Sequence, residues 1–250
     1  MSPLFDVSGK TVCVTGASSG LGRQAATLLA AAGARVVGIA RRETALNAWR
    51  ENAEGETASL VADLSDRGAL ADVAREAARP FGPVDILINA AGINTREHAD
   101  AVTDDGWDLT LDLNLGAPFF LSQAMVPAMK ERGWGRIINF ASLQSRRAFA
   151  SGISYGASKG AVEQMTRAMA EAWSGHGITT NALAPGFFRT ELTGPVFDDP
   201  VLAQRNADQT CIGRNGEPAD LDGPLLFFCS DASAYVTGQI LFVDGGFTAK

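Results

Sequence analysis

Seven short apolar runs alternate along the chain with longer stretches whose apolar residues recur at helical spacing. The runs are Thr11–Thr15, Arg35–Ala40, 57–62, Ile86–Asn89, 136–140, 179–183 and 239–243. Helical patterns occupy 21–32, 44–53, 66–79, 105–132, 154–174 and 217–229. Strand–helix alternation predicts an α/β fold with a parallel sheet of about seven strands and helices on both faces. Right-handed crossovers then make it doubly wound, of the Rossmann type. The uninterrupted Ile86-Leu87-Ile88 suits a sheet buried on both sides. No linker, repeat or low-complexity segment divides residues 1–250, which predicts a single domain. Residues 187–208 have the weakest pattern and are rich in Gly, Pro and Asp. They are expected to form a mobile loop over a substrate site, the plainer alternative being a surface excursion.

Composition narrows the classes. With 250 residues, 46% of them hydrophobic and 20% charged, the chain can bury a large core. A net charge of −7 argues against non-specific binding of nucleic acid or anionic membrane. No apolar run approaches the roughly 20 residues that a membrane helix needs. The first ten residues lack the basic start and apolar stretch of a signal peptide. Three cysteines (Cys13, Cys211, Cys229) and two histidines (His98, His176) form no ligand cluster, so no metal site is expected. The odd, scattered thiols suggest a reducing compartment, hence the cytoplasm.

The first strand runs directly into Thr15-Gly16-Ala17-Ser18-Ser19-Gly20-Leu21-Gly22, and a helical pattern begins there. Glycines permit a tight turn and let backbone N–H groups approach a pyrophosphate, while the helix N-terminus adds partial positive charge. The spacing is G-x-x-x-G-x-G rather than the commoner G-x-G-x-x-G. A ligand-free tight turn is the other reading. The second strand ends Gly38-Ile39-Ala40 and continues Arg41-Arg42, with no carboxylate before Glu43. A carboxylate there would bind the ribose 2′-hydroxyl of NAD. A guanidinium instead holds a 2′-phosphate through paired hydrogen bonds, which favours NADP(H) and leaves NAD(H) open. Two solvated arginines at a helix start are the bland alternative.

Tyr155 and Lys159 stand four apart in a helical stretch and so share one face. A phenol of ordinary pKa about 10 needs a nearby cation to ionise at neutral pH, and Lys159 is placed to be one. By spacing alone such pairs are mostly structural. Ser142 changes the reading. It follows the strand 136–140, and strand C-termini face the ligand crevice of a doubly wound sheet. Its hydroxyl can hydrogen-bond a substrate oxygen while Tyr155 exchanges a proton with it.

Taken together, these residues resemble the short-chain dehydrogenase/reductase family over residues 9–246. Gly16, Ser18, Ser19, Gly20, Leu21 and Gly22 are similar to its cofactor turn. Asp63, followed by Leu64, matches its adenine-contacting position. Asn89-Ala90-Ala91-Gly92 resembles its Asn-Asn-Ala-Gly strand end, with alanine second. Asn114 matches the asparagine that orders a relay water. Pro185, Gly186 and Thr190 resemble the segment that holds the nicotinamide amide. An arginine such as Arg41, without an aspartate before it, accompanies NADP use in the family, although Ser19 stands where some NADP members carry a basic residue. The resemblance implies an NAD(P)-dependent oxidoreductase. Tyr155 would be general acid or base, and Lys159 would lower its pKa and contact the ribose. Ser142 would polarise the carbonyl. The helices 105–132 and 154–174 would sit in dimer interfaces, giving a homo-oligomer, commonly a tetramer.

Three stretches should border the substrate: 93–97, 143–153 and 187–208. Alongside Ser142 and Tyr155 they bring Arg96, Gln144, Arg146 and Arg147, and three arginines at one mouth of an acidic protein suggest an anionic substrate. Surface ion pairs are the competing explanation. Gly92-Ile93-Asn94-Thr95-Arg96-Glu97 and Phe119-Phe120-Leu121-Ser122-Gln123 look like gluconate 5-dehydrogenases and keto-deoxygluconate dehydrogenases within the family. The expected substrate is thus a sugar acid or related hydroxy or keto acid. A 3-oxoacyl-carrier-protein reductase is the alternative, with arginines docking an acidic carrier. A non-catalytic dinucleotide-binding scaffold should have lost part of the set Asn114, Ser142, Tyr155 and Lys159, all of which are present.

Overall fold

The computed structural model describes residues 3–250. Seven parallel strands form its centre: β1 Thr11–Thr15, β2 Arg35–Ala40, β3 Thr57–Val61, β4 Ile86–Asn89, β5 Gly135–Phe140, β6 Ile178–Pro185 and β7 Ile240–Val243. Their order is β3-β2-β1-β4-β5-β6-β7. The chain winds outward from β1 in one direction, then crosses to β4 and winds the other way. That reversal opens a crevice beyond the C-terminal ends of β1 and β4. β1, β4, β5 and β6 are buried at every position, as expected of the central strands of a sheet covered on both faces.

Among the described residues, nine α-helices surround the sheet: α1 Gly20–Ala31, α2 Glu43–Asn52, α3 Leu70–Ala77, α4 Asp104–Leu111, α5 Ala117–Arg132, α6 Ile153–Trp173, α7 Gly194–Phe197, α8 Pro200–Gln209 and α9 Asp222–Cys229. Apolar residues of α1, α2 and α9, including Leu29, Leu46, Trp49 and Phe228, fill one face of the sheet. Those of α3, α5 and α6, including Val73, Leu121, Met129 and Met169, fill the other. Packing is tight at Gly38 on β2, where a Cβ would come 2.5 Å from the Trp49 ring.

Three expectations change. The pattern 105–132 is helical throughout but not regular, because a π turn at Asp112–Gly116 joins α4 to α5. The stretches 66–79 and 217–229 begin as 3-10 turns at Arg67–Ala69 and Pro218–Leu221 before α3 and α9. Residues 187–208 hold two helices, α7 and α8, rather than irregular chain. Asp199 caps α8 by accepting from the Val201 and Leu202 N–H groups, and Pro200 opens it.

Candidate active site

A cleft of about 670 Å³ lies along the C-terminal ends of the central strands, at the topological reversal. Its floor is the glycine turn after β1, the 90–94 segment after β4, the 140–144 segment after β5 and the 185–188 segment after β6. The 190–206 excursion roofs it.

One half of the cleft is built for a dinucleotide. Gly16 has φ 74°, and a Cβ there would stand 3.0 Å from the Ala91 backbone. A Cβ on Gly22 would come 2.5 Å from the Gly16 carbonyl oxygen. Both positions demand glycine, and their bareness lets a ligand reach the backbone. Ser19 stands at the N-cap of α1 but makes no capping bond, so the first N–H groups of the helix keep their hydrogen-bonding capacity for an anion. Thr15 Oγ1 accepts from the N–H groups of Ala90 and Ala91, both at 3.0 Å, and so fixes the opposite wall to β1. Only its place at the end of β1 hinted at this role.

At the ribose end, Arg41 and Arg42 line the cleft and no carboxylate ends β2. Leu64 lines the wall, whereas Asp63 accepts from the Ser65 N–H and hydroxyl and stands 3.7 Å from Arg41. Those Ser65 bonds, with the Arg41 charge behind them, hold its carboxyl below the usual range. Ala90 and Gly92 form wall, but Asn89 does not. The Asn89 amide is buried behind it and donates to Asn139 Oδ1 at 2.9 Å, tying β4 to β5, which corrects its assignment to the cofactor surface. Pro185, Gly186 and Thr190 line the far side. These residues fit a nicotinamide dinucleotide: a bare glycine cradle, an uncapped helix start and two guanidinium groups at the ribose end.

Ser142, Tyr155 and Lys159 converge at the other half. Ser142 caps the 3-10 turn Leu143–Ser145, accepting from the Gln144 N–H at 3.1 Å, and its hydroxyl lies beside the Tyr155 phenol. Desolvation pushes the phenol pKa up, while Ser142 and then the Arg96 charge pull it back. Lys159 is buried, and its Nζ donates to the Phe140 carbonyl at 2.6 Å, 5.6 Å from the Tyr155 ring centroid. Burial lowers its own pKa to about 8. Two cations thus stand near the phenol: Lys159, over the Tyr155 ring, and Arg96, whose charge favours ionisation. Asn114 sits behind the wall rather than in it. It lies in the π turn, where its amide pairs with both backbone groups of Ile93 and donates to Ser158 Oγ at 3.1 Å. Ser158 Oγ in turn donates to the Tyr155 carbonyl.

The substrate end differs from expectation. Arg96 and Gln144 line the cleft, but Arg146 and Arg147 do not. Arg146 lies over the Phe242 ring and 3.5 Å from Glu163, and Arg147 lies over Phe247. The 3-10 turn swings both side chains onto aromatic neighbours outside the cleft, a direction that sequence spacing does not encode. Phe149, Ser151, Phe187, Leu192 and Asn206 also line the cleft, so the stretches 143–153 and 187–208 border it as expected. Arg96 has φ 57°, a left-handed conformation unusual outside glycine, and its guanidinium donates to the Leu192 carbonyl at 2.6 Å. Among the described residues, no group of His, Cys, Asp or Glu could hold a metal ion.

The chain is similar to known proteins over nearly its whole length. The family model described as Enoyl-(Acyl carrier protein) reductase matches residues 16–248. The galactitol 2-dehydrogenase (L-tagatose-forming) of Cereibacter sphaeroides is 43% identical, over 98% of this chain and 97% of that protein. The gluconate 5-dehydrogenase of Gluconobacter oxydans is 40% identical, over 99% of this chain and 98% of that protein. The crystal structure of a gluconate 5-dehydrogenase from Burkholderia cenocepacia, in complex with NADP and tartrate, superposes with a TM-score of 0.91 at 36% identity, covering 99% of this chain and 98% of that one.

Proposed function

The chain belongs to the short-chain dehydrogenase/reductase family, and on that premise we propose that it interconverts a secondary alcohol and a ketone on a sugar acid or related hydroxy acid, with NADP(H) preferred to NAD(H). It is an NAD(P)-dependent oxidoreductase, and the bound nicotinamide supplies or accepts the hydride. In the reductive direction Tyr155 Oη delivers a proton to the developing alkoxide; in the oxidative direction it removes the hydroxyl proton. Ser142, beside the phenol, turns its one O–H to the same substrate oxygen when substrate is bound. Lys159 is anchored on Phe140 and lines the cleft beside Tyr155, where its ammonium would contact the nicotinamide ribose. Asn114 holds the 93 backbone and Ser158, and so fixes the start of α6 on which Tyr155 rides.

Arg96 carries the substrate reading. It lines the cleft, and its charge is felt at the Tyr155 phenol. A carboxylate bound there lies within reach of the proton-transfer pair, and a guanidinium fork suits it. Relatives that act on gluconate, and one crystallised with tartrate, support the same class. NADP preference rests on Arg41 and Arg42, with no acid ending β2. The carrier-protein alternative, which the family model's description favours, loses two of its docking arginines, because Arg146 and Arg147 are engaged on aromatic rings. We assign residues 187–208 as a roof that moves to admit substrate. The protein acts as a homo-oligomer in the cytoplasm, in keeping with three free thiols and with the exposed Tyr235 and Leu241.

The test is a panel of sugar acids, neutral polyols and β-ketoacyl thioesters, each offered with both cofactors and followed by nicotinamide absorbance. Turnover of sugar acids over polyols supports the assignment. Turnover of the thioesters alone would sink it.

A further inference from the structure

We propose that Glu191 is a built-in competitor for the 2′-phosphate of NADP(H), holding Arg42 across the mouth of the ribose pocket until that phosphate displaces it. The proposal rests on the NADP reading above. Arg42 Nη1 lies 2.8 Å from Glu191 Oε2. Its Nη2 donates to Ser19 Oγ at 2.6 Å and to Ser18 Oγ at 3.3 Å. The two serines belong to the glycine turn on the floor, and Glu191 belongs to the roof. One guanidinium therefore staples roof to floor at the place where a 2′-phosphate would seek it.

The neighbours of Glu191 are held as well. Thr190 borders the turn, where a Cβ on Gly20 would meet it at ordinary contact distance, 3.4 Å. The Leu192 carbonyl accepts from Arg96 at the substrate end. Three consecutive roof residues thus meet the rest of the cleft, and the middle contact alone is an ion pair with the ribose-end arginines.

A ribose 2′-hydroxyl is neutral and leaves that pair in place. A 2′-phosphate carries up to two negative charges and three acceptor oxygens, and matches the guanidinium fork better than a single carboxylate oxygen does. It also repels Glu191 at close range. Phosphate binding must therefore break the Arg42–Glu191 pair, and part of the arginine's attraction is offset by the carboxylate it gives up. Glu191 lowers NADP(H) affinity without touching NAD(H) affinity, and the roof is unstapled at this end only by the phosphorylated cofactor. Both side chains are about half exposed or more, at 52% and 64%, so the effect is modest.

The test measures NADPH and NADH dissociation constants for the wild type, Glu191→Gln, Arg42→Ala, Arg41→Ala and the Glu191→Gln/Arg42→Ala pair. Glutamine keeps the size and removes the charge at an exposed site, so folding is preserved. The expected result is about twofold to fivefold tighter NADPH binding in Glu191→Gln, the range of an exposed ion pair, with NADH unchanged. The gain should vanish when Arg42 is alanine. Unchanged or weaker NADPH binding in Glu191→Gln, or an equal gain for NADH, overturns the competitor while leaving NADP preference standing if Arg41→Ala or Arg42→Ala still loses NADPH. If neither arginine variant loses NADPH affinity, the NADP reading fails and the competitor with it.

Discussion

Asn114 and Ile93 exchange two hydrogen bonds: the Ile93 N–H donates to Asn114 Oδ1 and Asn114 Nδ2 donates to the Ile93 carbonyl, both at 2.9 Å. One amide side chain acts as a strand partner for one residue. It holds the chain after β4 against the helix pair, and through Ser158 it reaches the helix that carries Tyr155. The π turn presents Asn114 in this direction, in keeping with the frequent placement of such turns at functional sites.

Asn114→Ala leaves both Ile93 backbone groups without that partner. The expected cost is about 1–3 kcal/mol of stability for the orphaned groups. Turnover should fall further than cofactor affinity, because the displaced element is the start of α6. Urea denaturation and a paired kcat and cofactor Kd measurement check both parts. An equal loss of kcat and cofactor affinity would mean that the side chain serves the wall as a whole rather than the position of Tyr155.

Tyr155→Phe removes only the phenolic hydroxyl. Turnover should drop by about two to four orders of magnitude, the usual worth of a positioned acid or base. NADPH binding, measured by fluorescence titration, should stay near the wild-type value. Wild-type-like rates in this variant would overturn the proton-transfer role.

The Arg96 charge lowers the Tyr155 pKa. Arg96→Gln removes that pull, so the phenol pKa rises. The pH profile of alcohol oxidation, which needs the phenolate, should move to higher pH. The KM for an anionic substrate should rise while that for a neutral polyol stays level. An unmoved profile would separate Arg96 from the reacting centre.

Lys159 has its pKa lowered to about 8 by burial, against about 10.4 for a free lysine. Between those values the unfolded chain binds more protons than the folded one, so stability rises with pH across that window and the effect of this group is flat below it. Lys159→Met has no such titration. The difference in unfolding free energy between wild type and Lys159→Met should therefore shift in favour of wild type between about pH 8 and pH 10. Denaturant titrations at several pH values read it directly, and a pH-independent difference would contradict the burial of a neutralisable ammonium.

Gly22→Ala places a Cβ 2.5 Å from the Gly16 carbonyl oxygen, a backbone atom that cannot step aside. The turn must open, at a cost of about 1–3 kcal/mol, typical of overpacking. Both cofactors should bind more weakly, since the cradle serves the shared pyrophosphate. A calorimetric titration with each cofactor tests this.

The sheet was legible because its strands are short apolar runs bounded by turn residues. Thr11–Thr15, Arg35–Ala40 and Ile86–Asn89 begin and end in the structure where their patterns do. The glycine turn and the Ser142, Tyr155 and Lys159 trio were legible because chain order and strand ends place them together. The π turn was not: Asp-Leu-Asn-Leu-Gly keeps an ordinary helical rhythm, and the extra residue shows only in the backbone. Arg146 and Arg147 were misplaced because sequence does not give the direction in which a 3-10 turn sends a side chain. The roof helices carried one local signal, Asp199-Pro200 before an apolar position, which is a capping pair. Arg42 and Glu191 lie far apart in sequence, and their meeting has no local trace.

The π turn also sets helix regularity against helix purpose. Removing one residue from Asp112–Gly116 would restore regular α-helical bonding between α4 and α5, and would rotate one half about 100° against the other. The apolar face of α5 and the amide of Asn114 could then no longer both face inward. An engineer who smoothed this helix for thermostability would obtain a sturdier rod and an idle enzyme.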